Sequence, residues 1–127
     1  LAARAAVPAM IGGGIRMLFL TSEAGWAFTP GFGHYNVSKA ALNSLVANMA
    51  HEYREAYPTC DVQINALDPG EARTEMNCGS PISPYAAVPM ALAILSHPPG
   101  GPNGRFFHRD GRHLAFAYAS QYEPRLY

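Results

Sequence analysis

Residues 15–70 read IRMLFLTSEAGWAFTPGFGHYNVSKAALNSLVANMAHEYREAYPTCDVQINALDPG, and this stretch decides the fold. IRMLFLT (15–21) is a short, continuous apolar run, the pattern of a strand buried on both faces of a parallel sheet. SEAGWAFTPGFGH (22–34) is a loop punctuated by Gly25, Pro30, Gly31 and Gly33. From Asn36 to Tyr57 the apolar residues Leu42, Leu45, Val46, Met49 and Tyr53 recur at helical spacing, and Pro58 ends the run. DVQINAL (61–67) is a second strand, stopped by Asp68-Pro69-Gly70. Strand, long helix, strand makes a βαβ unit, whose strands run parallel with a right-handed crossover. Functional groups in such sheets gather at the carboxyl ends of the strands. Ser22, Tyr35 and Asp68-Pro69-Gly70 all fall there.

Outward from this unit the signals are weaker. Residues 1–11 are alanine-rich and helix-compatible, and GGG at 12–14 closes that segment. The opening LAARAAVPAM has no initiating methionine and no capping residue, so it reads as a helix entered part-way and sets the expectation of a piece of a longer domain. Ser83-Pro84 marks a helix start, and that helix is expected to reach about His97, with Pro89 kinking it or delaying its first turn. PPGGPNG (98–104) is a loop, and GRFFH offers a third strand. The expectation is a parallel three-stranded sheet in sequence order, near 15–21, 61–67 and 104–108, with a helix over 35–57 on one face. The aromatic tail AFAYASQYEPRLY would pack on the body or on a neighbouring subunit.

Composition narrows the function. With 127 residues, 49% of them apolar and 14% charged, the chain suits one small globular domain. Net charge is zero and the arginines are scattered, which is not the basic footprint of a nucleic-acid binder. No apolar run approaches the ~20 residues that span a bilayer, and no signal-peptide pattern is present. Cys60 and Cys78 form neither a zinc motif nor a disulfide framework, so a reducing, cytoplasmic setting is the default.

The basic residues number nine, and eight are arginine; the single lysine, Lys39, stands four residues after Tyr35. Residues so spaced on a helix share a face and can converge on one ligand. A free phenol titrates near 10 and is a poor base at neutral pH, but a neighbouring ammonium favours its ionised form. A hydroxyl from Ser22 could hold a substrate oxygen while the proton moves. Together these make an acid/base unit suited to carbonyl–alcohol interconversion. The bland alternative is chance: seven tyrosines among 127 positions put one four residues before a given lysine roughly once in eighteen. Company at fixed spacing argues against chance. Ser22 lies thirteen residues before Tyr35, and NALDPGEART follows at 65–74.

The ordered set TSEAG, YNVSK and NALDPGEART resembles the C-terminal half of a short-chain dehydrogenase/reductase, over nearly the whole chain. The resemblance implies an α/β fold, a partial doubly wound Rossmann domain over 1–127 whose N-terminal half is absent. It implies an oxidoreductase that moves hydride between NAD or NADP and a small carbonyl or alcohol substrate, working as a homo-oligomer when complete. By it Tyr35 is the catalytic acid/base and Lys39 hydrogen-bonds the nicotinamide ribose. Ser22 polarises the substrate carbonyl, and Pro69, Gly70, Ala72 and Thr74 match the loop that cradles the nicotinamide. The ending NGRFFHRDGRHLAF is similar to compact carbonyl-reductase-like members of the family. A small three-donor ammonium reaches both ribose hydroxyls where the broad fork of arginine would crowd them.

Departures matter as well. The family's glycine-rich pyrophosphate loop follows a strand, whereas Gly12, Gly13 and Gly14 precede one and read as a helix-ending loop. The residue that selects NAD or NADP is missing, and a fourth catalytic residue, an asparagine, would fall just before Leu1. The 127 residues alone are therefore expected to be inactive; a non-catalytic remnant whose long helix is an association surface is the alternative. His51-Glu52 lacks the second histidine of a metalloprotease helix and reads as a solvated face. His108, Asp110 and His113 read as a strand end and a turn, with no metal. Asn65 reads as structural, and Trp26 and Phe28 as pocket lining or ordinary packing.

Overall fold

The protein is described by a computed structural model covering residues 2–26 and 30–116. Phe28 and the tail from residue 117 lie outside the described residues. In chain order the elements are helix α1 (Ala2–Met10), strand β1 (Ile15–Leu20), helix α2 (Gly33–Ala56), strand β2 (Val62–Asp68), helix α3 (Val88–Leu95), and strands β3 (Arg105–His108) and β4 (His113–Ala115). Short 3-10 turns at Glu23–Gly25, Glu75–Asn77 and Pro84–Ala87 fill the connections.

The sheet order is β1-β2-β3-β4, with β1, β2 and β3 parallel. Ile15 pairs with Val62 and Leu20 with Leu67, while Ala66 pairs with Phe106. Period-two alternation sorts the side chains between two cores. Ile15, Met17, Val62, Ile64, Ala66 and Phe106 meet Val7 of α1 and Val46, Met49 and Ala50 of α2. Leu67 and Phe107 face the other way, onto Ala87 and Ile94 near and in α3. Helices therefore cover both faces, as the doubly wound reading requires. Every residue of β2 is buried, including the polar Gln63, Asn65 and Asp68. Asn65 donates to the Pro102 carbonyl at 2.8 Å and accepts from the Arg105 amide at 3.0 Å. Gln63 donates to the Pro98 carbonyl at 2.9 Å, so both fasten the 98–104 loop to the central strand.

Three differences from expectation have physical causes. A fourth strand, β4, pairs antiparallel with β3. Its residues are all exposed, so no apolar alternation announces it; its signal is the Asp110-Gly111 turn, with Gly111 at φ 92°. Of the apolar residues that recur at helical spacing in α2, Leu45 is 49% exposed, whereas its neighbour Val46 is buried at 0%. Pro89 delays α3 instead of kinking it: a 3-10 turn capped by the Ser83 hydroxyl comes first, and Pro89 occupies the opening turn, where its missing N–H is harmless.

Candidate active site

β1 ends in Thr21-Ser22, and Ser22 sits in extended backbone as the cap of the Glu23–Gly25 turn. Its Oγ accepts from the Ala24 amide at 3.1 Å. That bond uses a lone pair and leaves the hydroxyl proton free to donate. Tyr35 stands in the first turn of α2, half-buried, with Phe32 edge-on at 6.3 Å between ring centroids. One turn on, the Lys39 ammonium lies 5.6 Å from the centre of the Tyr35 ring and donates to the Leu20 carbonyl at 3.4 Å. Lys39 thus links the tyrosine of α2 to the end of β1.

Two buried contacts fix that link. The Thr21 hydroxyl donates to the Asn43 side-chain carbonyl, and both residues are 3% exposed. Asn43 lies one helical turn beyond Lys39, so the bond sets the rotation of α2 against β1. Gly25 packs directly on the helix: a Cβ there would stand 2.7 Å from the carbonyl carbon and oxygen of Lys39. Only a residue without a side chain lets the loop after Ser22 lie this close to α2.

The third component follows β2. Asp68 is 4% exposed; its Oδ1 accepts from the Gly70 amide at 2.7 Å and its Oδ2 from the Glu23 amide at 2.9 Å. Gly70 has φ 65°, which favours glycine. From the far side the Arg109 guanidinium donates to the Pro69 carbonyl at 3.1 Å and the Glu71 carbonyl at 2.6 Å. Ala72 is half-buried, and Thr74 is exposed with its hydroxyl making no cap bond. Arg73 N–H meets the Ile82 carbonyl at 2.8 Å and closes the loop into a compact excursion.

Of the residues singled out from sequence, Tyr35 and Lys39 are in contact, and Ser22 and Pro69-Gly70 follow adjacent strands at the same end of the sheet. Sequence reading passed over Asn43, Gly25 and Arg109 as working parts, and it placed Asp68 at a strand end without giving it a role. Asn43 had a signal, since it shares a helix face with Lys39. Trp26 stacks on Phe116 at 5.2 Å and meets Phe106 edge-on at 5.7 Å. With Asp68 and His108 it also lines a cavity of about 640 Å³, to which neither Ser22 nor Tyr35 contributes. His108 ends β3, and its Nδ1 is 2.9 Å from Asp110 Oδ2. The His108 imidazole, followed by the Arg112 amide and guanidinium, holds the Asp110 carboxyl down to about 2. No helix among the described residues is long and apolar enough to cross a membrane.

Residues 1–81 match the family model for short chain dehydrogenases, and the chain belongs to that family. It is 41% identical over 91 residues to (-)-isopiperitenone reductase of Mentha piperita, covering 69% of this chain and 26% of that enzyme. It is 40% identical over 97 residues to an uncharacterised NAD-dependent oxidoreductase of Mycobacterium tuberculosis, covering 75% of this chain and 31% of that protein. An NADP complex of a Shigella flexneri protein described as a short chain dehydrogenase superposes with a TM-score of 0.71 at 21% identity, over 85% of this chain and 47% of that one. The chain thus spans about a quarter to a third of the curated relatives' length.

Proposed function

We propose that these residues form the catalytic, nicotinamide-facing half of an NAD(P)-dependent oxidoreductase that interconverts a carbonyl and an alcohol. The observation that carries this reading is Lys39, whose ammonium meets both the Tyr35 ring and the carboxyl end of β1. The side chains available fit the nicotinamide end of a dinucleotide. Lys39, with one of its three donors on the Leu20 carbonyl, has two left for the ribose hydroxyls, and the exposed Thr74 hydroxyl and the 69–72 backbone suit a carboxamide. They do not fit the pyrophosphate. Gly12–Gly14 lead into β1, so they do not form a glycine-rich turn passing from a strand to a helix N-terminus. The other half of the dinucleotide site must come from residues beyond those described. A Mycobacterium tuberculosis relative named NAD-dependent and a fold neighbour bound to NADP support a nicotinamide cofactor of either kind.

When bound, the cofactor supplies or accepts the hydride. Ser22 donates its free hydroxyl proton as a hydrogen bond to the substrate oxygen and polarises the C–O bond. Tyr35 gives its phenolic proton to that oxygen as the carbonyl is reduced, and takes it back when the alcohol is oxidised. Lys39 stabilises the phenolate left behind and holds the ribose beside it.

Tyr35→Phe in the enzyme that contains this half should lower turnover by about 100-fold or more, because only the proton-transfer group is lost. The cofactor KM should stay within about twofold, since the ring still packs. Steady-state reduction of a carbonyl panel with NADH and NADPH reads both quantities. Turnover within about tenfold of the parent would remove Tyr35 from the chemistry.

A further inference from the structure

The Asp68 carboxylate is buried at the carboxyl end of β2 and makes no ion pair among the described residues. A buried carboxylate without a cation is costly unless hydrogen bonds satisfy it. Two backbone amides do so. The bond from Gly70 to Oδ1 is a local turn two residues long, and turn chemistry alone explains it. The bond from Glu23 to Oδ2 spans 45 residues, and no local rule accounts for it. Glu23 directly follows Ser22, and Gly70 belongs to the loop assigned above to the nicotinamide.

On the strength of that functional reading, we propose that Asp68 is a positioning residue that couples the two sides of the site. One carboxylate holds the loop that carries the substrate-side hydroxyl of Ser22 and the loop that faces the cofactor. Charge-assisted amide bonds of 2.7 and 2.9 Å make the link stiff. The Arg109 guanidinium braces the same loop through the Pro69 and Glu71 carbonyls. It therefore serves as the contrast.

Three substitutions separate the roles. Asp68→Asn keeps the shape, but its amide nitrogen cannot accept from a backbone N–H. Glu23→Pro deletes the distant amide while leaving Asp68 and Gly70 untouched. Glu23 opens a 3-10 turn, and Ser22 before it is extended (φ −158°, ψ 150°), so proline is compatible with both positions. Arg109→Gln loosens the cofactor loop alone.

Amide hydrogen exchange on the ligand-free protein reads the clamp itself. In Asp68→Asn, which keeps a single acceptor oxygen, at least one of the Glu23 and Gly70 amides should exchange at least about tenfold faster, while the Thr21 amide, bonded to the Leu67 carbonyl at 2.9 Å, stays unchanged. Kinetics of the enzyme read the coupling. Asp68→Asn and Glu23→Pro should each lower kcat by about tenfold with Ser22 present, and by less than about threefold in a Ser22→Ala background. Arg109→Gln should raise the cofactor KM and combine additively with Ser22→Ala. Unchanged exchange at Glu23 and Gly70 overturns the clamp, and so do additive losses of Asp68→Asn or Glu23→Pro with Ser22→Ala. If Tyr35→Phe retains full turnover while Asp68→Asn loses amide protection, the acid/base reading fails and the clamp stands as a structural link only. If Glu23→Pro matches the parent in kcat, Asp68 does not act through Ser22.

Discussion

At the scale of single residues, the proposed site is expected to rest on groups whose type cannot be exchanged for a near relative. Lys39→Arg conserves charge but replaces a compact ammonium, threaded between the Tyr35 ring and the Leu20 carbonyl, with a planar fork. We expect a loss in kcat/KM of at least about tenfold, or roughly 1.4 kcal/mol; a smaller loss in steady-state assays would mean that any cation suffices. Gly25→Ala inserts a methyl against the Lys39 backbone, where no flexible side-chain end can yield. Overpacking of this kind costs about 1–3 kcal/mol, so thermal denaturation should register a clear fall in Tm. An unchanged Tm would contradict the close approach. The Tyr35–Lys39 contact and the position of Ser22 just past β1 were legible in the sequence because their spacing is local or set by one βαβ unit. The second bond of Asp68 was not, because it joins residues that only the folded sheet brings together. Gly25 was quoted within the TSEAG motif, but nothing in the sequence reports how near the helix would come.

At the scale of elements, the continuous apolar runs of β1 and β2 and the spacing in α2 announced a parallel unit, and the structure bears that out. Where burial was shallow the pattern said less: Leu45, one of the apolar residues at helical spacing, is largely exposed, and the exposed β4 escaped notice. The start of β2 carries a charge that pattern reading passed over. Asp61 sits 2.6 Å from Arg16 of β1 and accepts from the Gly100 amide at 3.0 Å and from Gln63. Partial burial pushes its carboxyl upward, but the Gly100 amide, Gln63 and Arg16 outweigh that and hold it below the ordinary carboxylate value. A lowered folded-state pKa means that the stabilisation is fully present above the unfolded value near 4 and is lost as pH falls through the folded one. Asp61→Asn should therefore be less stable than the parent at pH 7, by about 1 kcal/mol. The gap should close on acidification below the unfolded value. Denaturation midpoints from pH 7 down to about 2 check this; a gap that is constant with pH would detach it from Asp61 ionisation.

At the scale of the whole molecule, β1 is the outer strand of the sheet and ends in Leu20, which is 59% exposed. An apolar edge of this length is a template for pairing with another strand. The 127 residues alone should therefore self-associate, and sedimentation should show species larger than 13.7 kDa. A monodisperse monomer would contradict the edge argument. The same 127 residues should show no micromolar affinity for NADH or NADPH in calorimetric titration, because the glycines at 12–14 enter a strand and offer no pyrophosphate cradle. Micromolar binding would mean that the dinucleotide site is more nearly complete than these elements imply. The central claim is that Ser22 and Tyr35 share one substrate oxygen with Lys39 behind them. The direct measurement is a crystal structure of the enzyme containing this half, with oxidised cofactor and an alcohol bound. The account predicts both hydroxyls within hydrogen-bond distance, about 2.5–3.0 Å, of the alcohol oxygen, with the Lys39 ammonium on the ribose hydroxyls. An alcohol oxygen touched by neither hydroxyl, or Ser22 and Tyr35 directed to opposite faces of the sheet, would contradict it.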